Sequence, residues 1–391
     1  MLAKTVEAPL ALTSAGKRES GRYLPSLDGW RAIAILSVII FHDAQPPRLG
    51  PIQLSAVHTY GGLGVDLFFA ISGLLIVSRL LDEERKHGKI SIKGFYTRRA
   101  FRILPPSVCY LAALLALKPF LHIAVNGREI FSCLVFVRNY AHELGESSSG
   151  WYTGHFWSLS VEEQFYLIVP GLLVLARTQR RRLAIAAILT TAFAAWAVFG
   201  HYVFPGIYTA LHYGEDSMRR TEMRVHGIFM GALWALLLRW NDVQRWVKAA
   251  MRPWVVFAVM VLSAFLLLKL QLPRLTLLVL LQLSFSCLLV ATITHPKSVT
   301  SRILELAPLR FVGHISYSLY LWQQLFFYLG KGADRGPSWA NQWPWSFLGA
   351  FACACVSYYF IEKPMIRMGQ KAISRLDQRS SKSLVACDEN A

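Results

Sequence analysis

Ten apolar runs, each close to the length of a bilayer crossing, dominate this chain: 26–43, 64–81, 104–124, 157–176, 183–204, 226–240, 253–272, 275–294, 311–329 and 345–362. A helix needs about twenty mostly apolar residues to cross the hydrocarbon core, where no water satisfies a loose backbone. The runs therefore predict an all-α, polytopic membrane helical bundle of about ten transmembrane helices. Composition agrees, with 54% hydrophobic and 16% charged residues, against about a quarter charged in ordinary soluble domains. A further apolar stretch, Ile130 to Val137, is too short to cross and lies between Arg128 and Arg138. It is expected to be interfacial or re-entrant.

Lys and Arg number 41 against 23 Asp and Glu, a formal net charge of +18. On a polar chain that excess would point to nucleic acid, but on one this apolar it reads as topology. With the N-terminus in the cytoplasm and ten alternating spans, 30 of the 41 basic residues fall on the inner side. An eleventh span at 130–137 would move Arg177, Arg180, Arg181 and Arg182 outside, so the same rule rejects it. The expected organisation is a cytoplasmic N-terminal segment 1–23 without a removable signal, a transmembrane domain 24–367, and a short charged cytoplasmic tail 368–391. No internal repeat is visible, which removes the usual hint of an inverted-repeat transporter. Six cysteines are too few for a disulfide scaffold.

Ionisable residues inside a span are costly, so each is a functional candidate. Arg31 and His42 are eleven residues apart, close to three helical turns, so they share a face and lie ~16 Å apart along the axis. Asp66, Glu162 and Arg224 fall at the outer ends of their runs, at the depth of His42. A His, two carboxylates and an Arg at one depth suggest a polar cavity with the His as acid or base. The plainer alternative is an ion-pair cluster joining helices. Adjacent Glu162 and Glu163 are not expected to face the same way, so at least one should point into the bundle. At the opposite membrane face, Arg98, Arg99 and Arg102 precede Pro105-Pro106, a pair that suits the start of the next span. Arg99 and Arg102, three apart, would share a helical face and present two guanidinium forks to a phosphate. By composition alone they read as topology determinants that also meet anionic lipid. No metal-ligand spacing occurs, and no metal is expected.

Taken in order, five segments resemble the acyltransferase-3 family of integral membrane acyltransferases, over about Leu24 to Arg367. They are Arg31 with His42, Asp66 to Gly73, Arg98 to Pro105, Trp157 to Tyr166, and Ser316 to Trp322. The resemblance implies transfer of an acyl group, commonly acetyl, from cytoplasmic acyl-CoA to a hydroxyl of a cell-surface or exported glycan at a bacterial inner membrane. No cofactor is expected to stay bound, since acyl-CoA is the donor substrate. On this reading His42 is the general base, oriented by Asp66 or Glu162, and a transient acyl-His42 fits the same residues. Arg31, Arg98, Arg99 and Arg102 hold the donor. Arg224, Ser316 and Tyr317 meet the acceptor. Relatives often carry a His after the last tryptophan, where this chain has Gln323, so the essential His is placed at 42. Some relatives add an extracytoplasmic hydrolase-like domain, for which this chain is expected to be too short. Two rival readings stay open. One is a transporter or channel for a small anion or glycan precursor. The other is an acyltransferase acting on a small secreted metabolite.

Overall fold

The computed structural model describes residues 23–43, 48–49, 52–53, 59–121, 123–140, 150–203, 205–206, 218–270, 274–327 and 343–388. Every one of the ten apolar runs lies largely in helix. The long helices are α1 (Pro25–His42), α2 (Gly64–His87), α3 (Ile92–Leu121), α5 (Phe156–Leu175), α6 (Gln179–Val203), α7 (Thr221–Leu237), α9 (Pro253–Lys269), α10 (Arg274–Thr294), α11 (Ala307–Gln323), α12 (Trp345–Ser357) and α13 (Lys363–Asp388). Shorter helices α4 (Gly127–Leu134) and α8 (Asn241–Ala250) sit between them. A π-helical turn, Tyr358–Glu362, joins α12 to α13. The one β pairing among the described residues is a two-residue antiparallel ladder, Arg48–Leu49 with Ile52–Gln53.

Among the described residues, six helices are long and apolar enough by themselves to cross a membrane, seven if the pair bent by 71° around residues 251–252 is one span. Length and apolarity thus support a multi-pass membrane protein without reaching the count of ten. The shortfall has a physical source. Helices α7 and α11 have 17 residues each, ~26 Å at 1.5 Å per residue, and α1 has 18 with Asp28 and Arg31 in its first two turns. Each of these three helices carries polar candidates, as do the longer α2, α3 and α5.

Two sequence details change on folding. The Pro105-Pro106 pair does not start a helix, because α3 runs unbroken from Ile92 through both prolines. The arginine segment and the third apolar run are therefore one rod, which carries Arg99 and Arg102 on the same helix as the buried Tyr110. The stretch around Ile130 forms the eight-residue α4, ~12 Å long, with Asn126 capping its start by accepting from the Glu129 amide at 2.8 Å.

Close backbone approach sets the frame of the site. A methyl group on Gly73 of α2 would collide with the Ile228 carbonyl oxygen, and one on Gly231 of α7 with that of Ala70. Only glycine lets these two helices touch, and α2 with α7 is the most extensive helix pair of the bundle. The same holds for α1 against α11, where a methyl on Gly313 would strike the Asp28 carbonyl. That second crossing brings the helix bearing Arg31 and His42 onto the helix bearing Ser316, Tyr317 and Gln323.

Candidate active site

A cavity opens among α1, α2, α3, α5 and α11. Its wall on α2 is one helical stripe, Phe68, Ser72, Leu75, Ile76 and Arg79, the i, i+3, i+4, i+7 spacing of a single face. Arg31 enters from α1, Arg99 and Arg102 from α3, Glu162, Glu163 and Tyr166 from α5, and Ser316, Tyr317 and Tyr320 from α11. Four guanidinium groups thus share one space with two carboxylates, an excess of two positive charges when both carboxylates are ionised.

The pairing within the cavity is incomplete. Glu162 accepts from Ser72 at 3.0 Å and from Tyr166 at 2.7 Å. Arg99 lies over the Tyr166 ring at 3.8 Å. Among the described residues, no carboxylate stands within ion-pair distance of Arg79, Arg99 or Arg102, and Arg31 reaches Asp28 only at 4.0 Å. The Ser316 hydroxyl has no hydrogen-bond partner. Tyr317 is held firmly, receiving the Ser107 hydroxyl at 2.7 Å and donating to the Ile103 carbonyl at 2.9 Å. Beside this wall, Glu362 is buried in the π-helical turn and accepts from Ser318 at 2.8 Å.

Several expected neighbours separate. Glu162 and Glu163 both line the cavity, because the opening is wide enough to span the 100° between consecutive helical positions. Arg98 does not line it and instead pairs with Glu83 at 2.7 Å, with its side chain 41% exposed. Asp66 and Arg224 find each other, at 2.9 Å. The Gln282 amide also donates to Asp66. Arg224 further donates to the Met218 carbonyl at 2.7 Å and lies 5.2 Å from the Trp157 ring. That cluster is closed on itself.

His42 lies in neither cluster. Its Nδ1 is 3.0 Å from Gln323 Oε1, and the Trp151 ring meets it edge-on at 5.4 Å. Neither Asp66 nor Glu162 hydrogen-bonds to it. Tyr320, at one end of the cavity, sits three residues before Gln323 on α11, so His42 is about one helical turn, ~4.5 Å of rise, beyond the cavity wall. Tyr320 also donates to the His155 carbonyl at 3.0 Å, and His155 is buried against Tyr320 and Tyr110.

Sequence reasoning missed Arg79 and Tyr320. Arg79 falls seven residues after Ser72, so continuing the motif stripe down α2 would have found it. Tyr320 lies inside the Ser316 to Trp322 segment, three residues after Tyr317.

Known proteins resemble this chain over most of its length. The chain is 28% identical to the O-acetyltransferase OatA of Staphylococcus aureus (strain MRSA252), covering 93% of this chain and 61% of that protein. It is 32% identical to a putative O-acetyltransferase of Staphylococcus aureus (strain COL), over 92% of this chain and 60% of that protein. The chain therefore spans about three fifths of the length of these curated relatives. No solved structure matches it. The model of the acyltransferase-3 family, described as an acyltransferase domain, matches residues 24–362. The chain belongs to the acyltransferase-3 family.

Proposed function

We propose that this protein is a membrane O-acyltransferase that moves an acyl group, acetyl in the first instance, from cytoplasmic acyl-CoA to a hydroxyl of a cell-surface or exported glycan. One observation carries the reading. Arginines without carboxylate partners line a cavity whose far end stops one turn short of a histidine. Unpaired guanidinium groups in a confined space call for an anion with at least two charges, and phosphates match their fork geometry. The ~16 Å from Arg31 to His42 along α1 is comparable to an extended pantetheine arm. Phosphates at Arg31, Arg79, Arg99 and Arg102 would therefore leave the thioester near His42.

In the transfer, His42 Nε2 takes the proton of the acceptor hydroxyl as its oxygen attacks the thioester carbonyl. The carbon–sulfur bond then breaks, and the departing CoA thiolate takes the proton back from the imidazolium. Ser316 offers an unpartnered hydroxyl on the donor path. Arg98, paired with Glu83 outside the cavity, is left out of the donor site. Asp66 and Arg224, each bonded to the other, are assigned to holding α2 and α7 together. Orientation with both termini in the cytoplasm of a bacterial inner membrane completes the reading, since acyl-CoA is cytoplasmic and basic residues favour that side.

Steady-state kinetics with acetyl-CoA test it. Arg102→Ala is expected to raise the donor KM by about 10- to 100-fold, the scale of a lost charge-assisted contact of ~1.5–3 kcal/mol, with kcat largely kept. An unchanged donor KM would remove the arginine cavity from donor binding.

A further inference from the structure

The last turn of α11 ends in two consecutive glutamines, and each reaches His42 by its own route. Gln323 is fully buried, with Oε1 3.0 Å from His42 Nδ1. With the amide placed so that Oε1 faces the ring, the oxygen only accepts, which assigns the imidazole proton to Nδ1 and the lone pair to Nε2. Gln324 clasps Trp151 with two bonds. Its side-chain amide donates to the Trp151 carbonyl at 2.8 Å, and the Trp151 indole donates to the Gln324 carbonyl at 2.9 Å. The clasped indole stands edge-on to the His42 ring at 5.4 Å. The end of one helix thereby fixes both the tautomer and the plane of the imidazole on another.

We propose that Gln323 is a positioning residue that holds His42 in the Nδ1–H tautomer, with the Gln324–Trp151 clasp keeping the ring in plane. The inference rests on His42 being the general base. Only the Nδ1–H form presents a basic Nε2 to a hydroxyl, and in the other tautomer that nitrogen already carries a proton. A glutamine does not titrate, so this hold is the same at every pH at which the protein is folded. The competing role for Gln323 is simple packing of the α11 end, and a leucine of similar size fills the same space.

The test uses the full-length protein in lipid nanodiscs, with acetyl-CoA as donor and water as the acceptor. Gln323→Leu removes the acceptor of the Nδ1 proton, and Gln323→Glu keeps one. The expected result is a fall in the rate of CoA release on the order of 100-fold for the leucine variant, within the range general-base catalysis supplies. Its donor KM changes less than about twofold, and the glutamate variant recovers most of the rate. In ¹⁵N spectra of selectively labelled histidine, His42 appears as the Nδ1–H tautomer in the wild type and in Gln323→Glu. It shifts toward Nε2–H in Gln323→Leu. A leucine variant with normal turnover, or a wild-type His42 already protonated on Nε2, overturns the inference. A fully active His42→Ala variant would instead remove the general-base reading beneath it, so the two failures are distinguishable.

Discussion

The two ends of α2 hold their charges in opposite ways. Near the start, Asp66 is buried and saturated, bonded by Arg224 and by Gln282. Thirteen residues later, Arg79 lines the cavity beside Arg31, Arg99 and Arg102, and no carboxylate among the described residues is in ion-pair range of it. A closed pair has used its charge to join helices. An open cluster keeps its charge for something that arrives from outside. Intramembrane charge alone does not separate structure from function, but its pairing does. His42 lies outside both clusters, and among the described residues its hydrogen bond to Gln323 engages Nδ1 and leaves Nε2 uncommitted.

The largest expected effect is at His42. His42→Ala should lower acyl transfer by about 10²- to 10⁴-fold while leaving thermal stability and donor binding close to wild type. Transfer rates on purified variants, read beside a melting curve, check this. The closed end should respond the other way. Asp66→Leu strips Arg224 of its carboxylate and is expected to destabilise the bundle by about 3–5 kcal/mol, seen as a lower melting temperature and poor yield. The donor KM of the surviving folded fraction should stay unchanged. If Asp66→Leu instead spared stability and raised the donor KM, the contrast between the ends of α2 would fail.

Arg79→Ala sharpens the comparison, because Arg79 lies outside every motif that led to the family. Its donor KM should rise by about 10-fold, corresponding to ~1.4 kcal/mol, and the loss should shrink when a donor without the phosphates, acetyl-pantetheine, replaces acetyl-CoA. The smallest effect is predicted at Arg98→Ala. The Arg98 side chain is 41% exposed where it meets Glu83 outside the cavity, and exposed pairs contribute about 0–1 kcal/mol, so a donor KM within about twofold of wild type is expected.

Much of this was legible in the residues. The apolar runs mark where helices form, because backbone groups in hydrocarbon have no other partner, and five ordered segments carry the family. Arg99 and Arg102 share the cavity as their spacing suggests, and Ser316 and Tyr317, which the family resemblance singled out, join them there. What escaped the sequence was pairing between helices. Depth along each run placed Asp66, Glu162, Arg224 and His42 at one level, yet depth says nothing about rotation around the helix axis. Glu162 turned toward Ser72 and Tyr166, Asp66 turned toward Arg224, and His42 turned toward Gln323. Close crossings at Gly73, Gly231 and Gly313 set how α1 and α2 meet their neighbours, and Ser72, Arg224 and Gln323 lie 90, 158 and 281 residues from the side chains they bond.

The central claim is that His42 performs the transfer that the arginine cavity supplies. It is tested most directly by mass spectrometry of surface glycans from cells lacking the gene, complemented with wild type or with His42→Ala at equal membrane levels. O-acetyl groups should return with the wild type and stay absent with the variant. Restoration of the same O-acetyl groups by His42→Ala would contradict it.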